Sequence, residues 1–252
     1  MILSKKLPPK YHNRRVLVST KAYRRYYLHS LTSIHADLFQ SVEEWIRPGD
    51  IVWDVGANCG IFTYAAAVLA GEKGRVIAIE ADVQCASLID RSRRYRLAGE
   101  APVVLCPFAV SESSGTVQFQ LSAYRTAANS LSGFGRFESG GIQLEVPVFS
   151  LDSLREGLPA PTVIKIDVEG AEHLVLRGCI ETLRQSRPVL VCECTGGETG
   201  VAIENLLREV GYAWRSMTAN DTTPFTQDQI TSSDIVALPK EHVRCTPNAA
   251  RA

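Results

Sequence analysis

Two clusters of side chains in this 252-residue chain carry chemistry. The first is Lys165-Ile-Asp167-Val-Glu169-Gly170-Ala-Glu172-His173, in which three carboxylates and an imidazole crowd around one glycine. Such groups take a proton from a weak nucleophile, and burial or mutual repulsion tunes the carboxylates toward that task. The second is Asp54-Val-Gly56-Ala57-Asn58-Cys59-Gly60, an acidic residue running into a turn bracketed by two glycines. Glycine lets the backbone bend sharply and lets a ligand approach bare main chain.

These clusters require elements that hold them. Hydrophobic residues lead into Asp54, and the alanine-rich stretch Ile61 to Ala70 is a strong helix former. Strand, glycine turn and helix in this order place free helical N–H groups over the turn, at the carboxyl end of the strand. Doubly wound α/β folds hold a nucleotide-like ligand in that position. A second strand, Arg75-Val-Ile-Ala-Ile-Glu80, ends in a carboxylate 24 residues after Gly56, where an acidic side chain accepts hydrogen bonds from a ribose. The turn is not the G-x-G-x-x-G of a dinucleotide site. A pyrophosphate disfavours a carboxylate at its entrance, whereas a ligand carrying an ammonium and a sulfonium tolerates one. S-adenosyl-L-methionine therefore fits better than a nicotinamide dinucleotide.

The rest of the chain supports a sheet of this kind. Ser33 to Arg47 has apolar residues at helical spacing and stops at Pro48-Gly49. Ala81 to Leu97 reads as a helix and 102–106 as a third strand, after which Phe108 is expected near an adenine edge. Residues 116–121 and 142–148 alternate apolar and polar, so they predict antiparallel strands. They flank a glycine-rich stretch, 122–141, expected to be a lid or a hairpin tip. The strand ending at Asp167 is followed by a helix, 172–183. Another strand ends at Glu193, followed by helix 199–210 and strands 212–217 and 234–239. The alternation predicts an α/β fold: a Rossmann-like, seven-stranded, mainly parallel sheet with helices on both faces.

Composition excludes several classes. The chain is 45% hydrophobic and 21% charged, ordinary for a globular protein. No run approaches the roughly 18 apolar residues of a membrane span. The N-terminus lacks the apolar core of a signal peptide, which points to a cytoplasmic protein. Seven cysteines without a C-x-x-C argue against a disulfide framework or a zinc site. Cys192 and Cys194 are expected as small buried side chains. Net charge is zero, yet residues 1–30 hold eight bases and no acid. The expected organisation is thus a basic N-terminal arm (1–30), one domain (31–239) with an insertion at about 116–148, and a disordered tail (240–252). The arm suits an anionic acceptor, a membrane surface or nucleic acid; a solvated arm docked on an acidic body is the alternative.

Together, Asp54-Val-Gly-Ala-Asn-Cys-Gly60, Lys165-Ile-Asp167-Val-Glu169-Gly170-Ala-Glu172 and the later Leu176-Arg-Gly178 resemble the FkbM-like S-adenosylmethionine-dependent methyltransferases. The resemblance covers roughly residues 45–195. It implies methyl transfer to a hydroxyl oxygen of a secondary metabolite or of a sugar in a glycan or glycolipid. By that match Asp54, Gly56, Asn58, Gly60 and Glu80 bind the cofactor, with Ala57, Ala81 and Phe108 beside them. Asp167, Glu169 and Glu172 then belong to the acceptor side. An alcohol is a poor nucleophile, so a base must take its proton. The candidates are Asp167, Glu169, Glu172 and His173, with Asp167 favoured if burial or its acidic neighbours raise its proton affinity. A metal held by the same carboxylates is the lesser option. A nucleic-acid methyltransferase using the basic arm, disfavoured by the lack of an Asn-Pro-Pro-Tyr element, and a non-catalytic binding protein are the rival readings.

Overall fold

Short, β-branched, apolar runs bounded by glycines or carboxylates become strands buried on both faces. In the computed structural model, which describes residues 1–20, 24–121, 130–131, 142–194, 196–217, 225–226, 230 and 234–243, they build the sheet that carries the site. In chain order the first elements are β1 (Ile2–Lys6), β2 (Arg15–Ser19), α1 (Leu31–Ile34), α2 (Ala36–Trp45), β3 (Ile51–Val55), α3 (Ile61–Ala70), β4 (Arg75–Ile79), α4 (Val83–Ser92) and β5 (Val103–Cys106). There follow β6 (Ala109–Val110), β7 (Gly115–Leu121), β8 (Ser130–Leu131), β9 (Ile142–Phe149), β10 (Val163–Ile166), α5 (Glu172–Arg177) and α6 (Ile180–Ser186). The rest are β11 (Val189–Cys192), α7 (Gly197–Glu209), β12 (Tyr212–Ser216), β13 (Ile235–Pro239) and α8 (Lys240–Val243).

Seven strands form one sheet in the order β12-β13-β11-β10-β3-β4-β5. Only β13 runs against the others. Alternate residues feed two cores. Val52, Val76, Ala78 and Val163 pack toward α2, α3 and α4. Trp53, Val55, Ile77, Ile79, Ile164 and Ile166 pack toward α5, α6 and α7. The expected seven-stranded, mainly parallel architecture with helices on both faces is the one observed. A smaller sheet, β6-β9-β7-β8, joins the segments after β5, and β7 pairs antiparallel with β9 from Gly115↔Val148 to Leu121↔Ile142. Within the stretch read as a loop, Ser130 and Leu131 pair with β7 as a short strand; the other residues of 122–141 lie outside the described ones.

Four local expectations are corrected. The first twenty residues are not an appended arm. β1 and β2 form a hairpin, and Leu7, Tyr11, Val16, Leu17, Val18 and Tyr26 are buried in the core that holds α3 and α4. Two of its charges are paired: Arg14 donates to both oxygens of Glu100 at 3.1 and 3.0 Å, and Lys10 pairs with Glu43 at 2.6 Å. The tail also begins as structure, since Glu241 of α8 pairs with Arg187 at 2.7 and 2.9 Å; residues 244–252 lie outside the described ones. The helix expected over 172–183 is broken at Gly178-Cys179, because another segment crosses there: a Cβ on Gly178 would meet the Ser111 carbonyl oxygen at 2.3 Å. The helix expected over 33–47 likewise divides at His35 into α1 and α2.

Candidate active site

Parallel strands end together at one edge of the sheet, and there the two chemical clusters meet. β3 and β10 are neighbours with Val55 opposite Ile166, so the turn at Gly56 lies beside Asp167. The approach is close enough that a Cβ on Gly56 would fall 1.8 Å from the Asp167 carbonyl oxygen, and Gly56 has φ +77°. Only glycine combines that backbone with that proximity. Gly56 and Ala57 both donate N–H bonds to the Ile79 carbonyl, and Gly60, also left-handed, starts α3.

Glu80, at the end of β4, is fastened from both sides. Asn58 N donates to one carboxylate oxygen at 2.6 Å and Asp82 N to the other at 2.7 Å. Burial pushes its pKa up to about 7 against those two bonds, which favour the charged form. Glu80 lines an open cleft. Gly56 and Asn58 form one part of its wall, and Ile79, Ala81, Phe108, Ala109, Val110 and Phe119 an apolar part. Asp167, Val168 and Glu169 line it as well. Ala57, Gly60 and Asp54 are buried and do not line the cleft.

Asp54 instead serves Lys165. The two are directly opposed in the β3–β10 register, with Nζ 3.8 Å from Asp54 and 2.9 Å from Asp167. Thr63 Oγ1 donates to Asp54 at 2.5 Å. Burial alone would discharge Lys165, but the two carboxylates outweigh it and hold its pKa above the ordinary value. Asp167 is shifted the other way. Burial opposes its charge, yet the Lys165 ammonium and a hydrogen bond from Glu193 keep its carboxyl below the usual range. Glu193 follows β11 on the neighbouring strand, and its pKa is pushed up to about 9 by burial and by Asp167. At neutral pH it is the protonated partner. The expectation that acidic neighbours raise Asp167 therefore fails: one neighbour is a cation and the other brings its own proton.

Glu169 has the property expected of Asp167. It lines the cleft, occupies a left-handed conformation at φ +57°, and titrates at about 7. Burial is the main cause, with Asp167 and Glu172 adding to it and Lys165 opposing. Glu172 is fully buried and accepts N–H bonds from Val168 and Gly170, both 3.0 Å. His173 does not line the cleft; burial and the nearby Arg177 lower its pKa. Sequence reasoning noted Lys165 without giving it a role, although a cation inside an apolar strand signals buried partners. It also missed His35, between α1 and α2. That imidazole is lowered to about 4 by burial and by Lys165, and its Nε2 lies 3.0 Å from the Tyr26 hydroxyl. Nothing in the sequence around His35 distinguished it from His12 and His29.

Comparison with known proteins adds four findings. Residues 54–213 match the methyltransferase FkbM domain. Hexuronic acid methyltransferase AglP of Haloferax volcanii is 30% identical over 175 residues, covering 69% of this chain and 67% of that protein. Among solved structures, methyltransferase FkbM from Methylobacillus flagellatus KT superposes with a TM-score of 0.50 at 17% identity, covering 91% of this chain and 58% of its own. A SAM-dependent methyltransferase from Agrobacterium tumefaciens superposes with a TM-score of 0.50 at 13% identity, covering 94% and 70%. At such identities the two structures speak for the fold alone.

Proposed function

We propose, from the premise that this chain belongs to the FkbM methyltransferase family, that it moves a methyl group onto a hydroxyl oxygen of a sugar. The chain is an enzyme, an S-adenosyl-L-methionine-dependent methyltransferase. The residues present suit that cofactor. Each Glu80 oxygen receives one N–H bond, and a carboxylate has capacity for about four, so it can still accept from both ribose hydroxyls. Ile79, Ala81 and Phe108 would face the adenine, and Gly56 and Asn58 the amino-acid end.

When bound, the cofactor supplies a methyl group made electrophilic by its sulfonium. The remaining work belongs to the protein. Walls around the cleft align the reactants, and a carboxylate removes the hydroxyl proton. The observation that carries the reading is Glu169, a carboxyl at the cleft with a pKa of about 7, matched to general-base work at neutral pH. Asp167, pinned between Lys165 and Glu193, is the weaker base and holds the strand end in place. A sugar acceptor is supported by AglP, whose name gives hexuronic acid as its substrate. The nucleic-acid alternative has less support, since Arg14, one of the eight bases counted toward a basic arm, is buried against Glu100. Incubation with cofactor and a panel of neutral and acidic sugars, with the product located by NMR, tests the proposal. An O-methyl sugar is the expected product; methylation at nitrogen alone, or on non-sugar acceptors only, would overturn it.

Glu80→Ala is expected to weaken cofactor binding roughly tenfold or more, because hydrogen bonds to a charged acceptor contribute about 1.5–3 kcal/mol. The wild-type affinity carries a pH signature as well. Ribose hydroxyls donate best to the ionised carboxylate, so affinity should be full above about pH 7 and decline as pH falls through it. Calorimetry across pH 6–8 checks both, and a pH-independent affinity in the wild type would remove Glu80 from the ribose.

A further inference from the structure

Glu172 has one side-chain oxygen doing two things at once. Its Oε1 accepts from Val168 N and from Gly170 N, each at 3.0 Å, and these two amides flank Glu169. The residue between them is the left-handed Glu169, followed by Gly170 at φ +104°. A non-glycine residue holds such a backbone only when its surroundings over-determine it. The surroundings here are Glu172 itself, wholly buried, and the helix it begins, α5, whose Val175 and Leu176 are sealed into the core. Glu172 does not line the cleft, which is why the acceptor contact expected of it is not the role the geometry offers.

We infer that Glu172 is a positioning residue: it clamps the turn that aims the Glu169 carboxylate at the hydroxyl to be methylated. The inference rests on Glu169 being the base. The clamp needs an acceptor oxygen at the end of a glutamate-length side chain, and it needs no charge. Glutamine keeps that oxygen in reach. Aspartate keeps the charge but, one methylene shorter, cannot reach both amides. Misplacing a catalytic group by about 1 Å is enough to cost up to roughly 100-fold in turnover.

The experiment measures kcat at saturating cofactor, and cofactor Kd by calorimetry, for Glu172→Gln, Glu172→Asp, Glu169→Gln and the double variant Glu169→Gln/Glu172→Asp. Expected is a Glu172→Gln enzyme within about threefold of wild type and a Glu172→Asp enzyme slowed about tenfold or more, both with cofactor affinity retained. Because the clamp acts through Glu169, Glu172→Asp should add almost nothing in the Glu169→Gln background. Aspartate outperforming glutamine, or a full additional loss in the double variant, would overturn the clamp. Near-normal turnover in Glu169→Gln would instead sink the assignment of the base and the clamp with it. The two failures are therefore distinct.

Discussion

Glu169→Gln is expected to lower kcat by roughly 100-fold or more, the usual scale of general-base catalysis, while leaving cofactor affinity nearly unchanged. Glutamine has the shape of the carboxylate and cannot take the proton. The pH profile makes the assignment specific. In the wild type, turnover needs the ionised form, so kcat should rise with pH through about 7 and then level off. Saturating cofactor keeps the titration of Glu80 out of that curve. In Glu169→Gln the residual rate should lose this limb. Asp167→Asn should also be slow, because Lys165 loses its 2.9 Å partner, but its limb should survive near neutrality. A limb that persists in Glu169→Gln and vanishes in Asp167→Asn would return the role to Asp167.

The second large effect is on stability. Arg14→Ala is expected to destabilise the protein by about 3–5 kcal/mol, the cost of leaving a buried charge without its partner. Arg14 and Glu100 have side chains 0% and 2% exposed, so water cannot replace the lost bonds. The guanidinium also donates to the Ser92 carbonyl at 2.8 Å and lies over the Tyr64 ring, 3.7 Å from its centroid. Against a typical total of about 5–15 kcal/mol, a loss of that size leaves little margin. Urea unfolding with an unchanged m value measures it. Replacing both partners, Arg14→Met with Glu100→Leu, should recover much of the loss, since an apolar pair avoids the desolvation cost. A single-variant loss below about 1 kcal/mol would mean the pair is wetter than its burial indicates. By the same packing, deleting residues 1–19 should impair cofactor binding rather than spare it.

The central strands were legible because β3, β4, β10 and β11 are buried on both faces and therefore read as short runs that are apolar apart from Asp54, Arg75 and Lys165. The carboxylates at their ends were legible as a site because parallel strands deliver their C-termini to one edge. The hairpin β1–β2 was not. Its five-residue strands are crowded by lysines and arginines, and its partners, Ser92 and Glu100, are 75 to 86 residues away along the chain. Pattern within a short window carries no record of such a partner. The choice between Asp167 and Glu169 was hidden for a related reason. Both are carboxylates near one turn, and what separates them is how the Lys165 ammonium, two residues before Asp167, folds back onto it, together with a protonated glutamate on the next strand. Proton affinity belongs to that three-dimensional neighbourhood, not to residue type.

β13 is inserted between β11 and β12, although it follows both along the chain. On a ribosome, β11 and β12 therefore emerge before the strand that joins them has been made. Until residues 235–239 clear the exit tunnel, each presents a row of unpaired backbone groups, and Val189–Cys192 is among the most apolar stretches of the sheet. Unpaired apolar edges recruit other chains. A nascent chain that has emerged only as far as residues 217–234 would hold every residue of the site and yet be a client for chaperones. The cell's exposure to that intermediate is set by how quickly some twenty codons are translated, a property of the message that no substitution in the active site would alter.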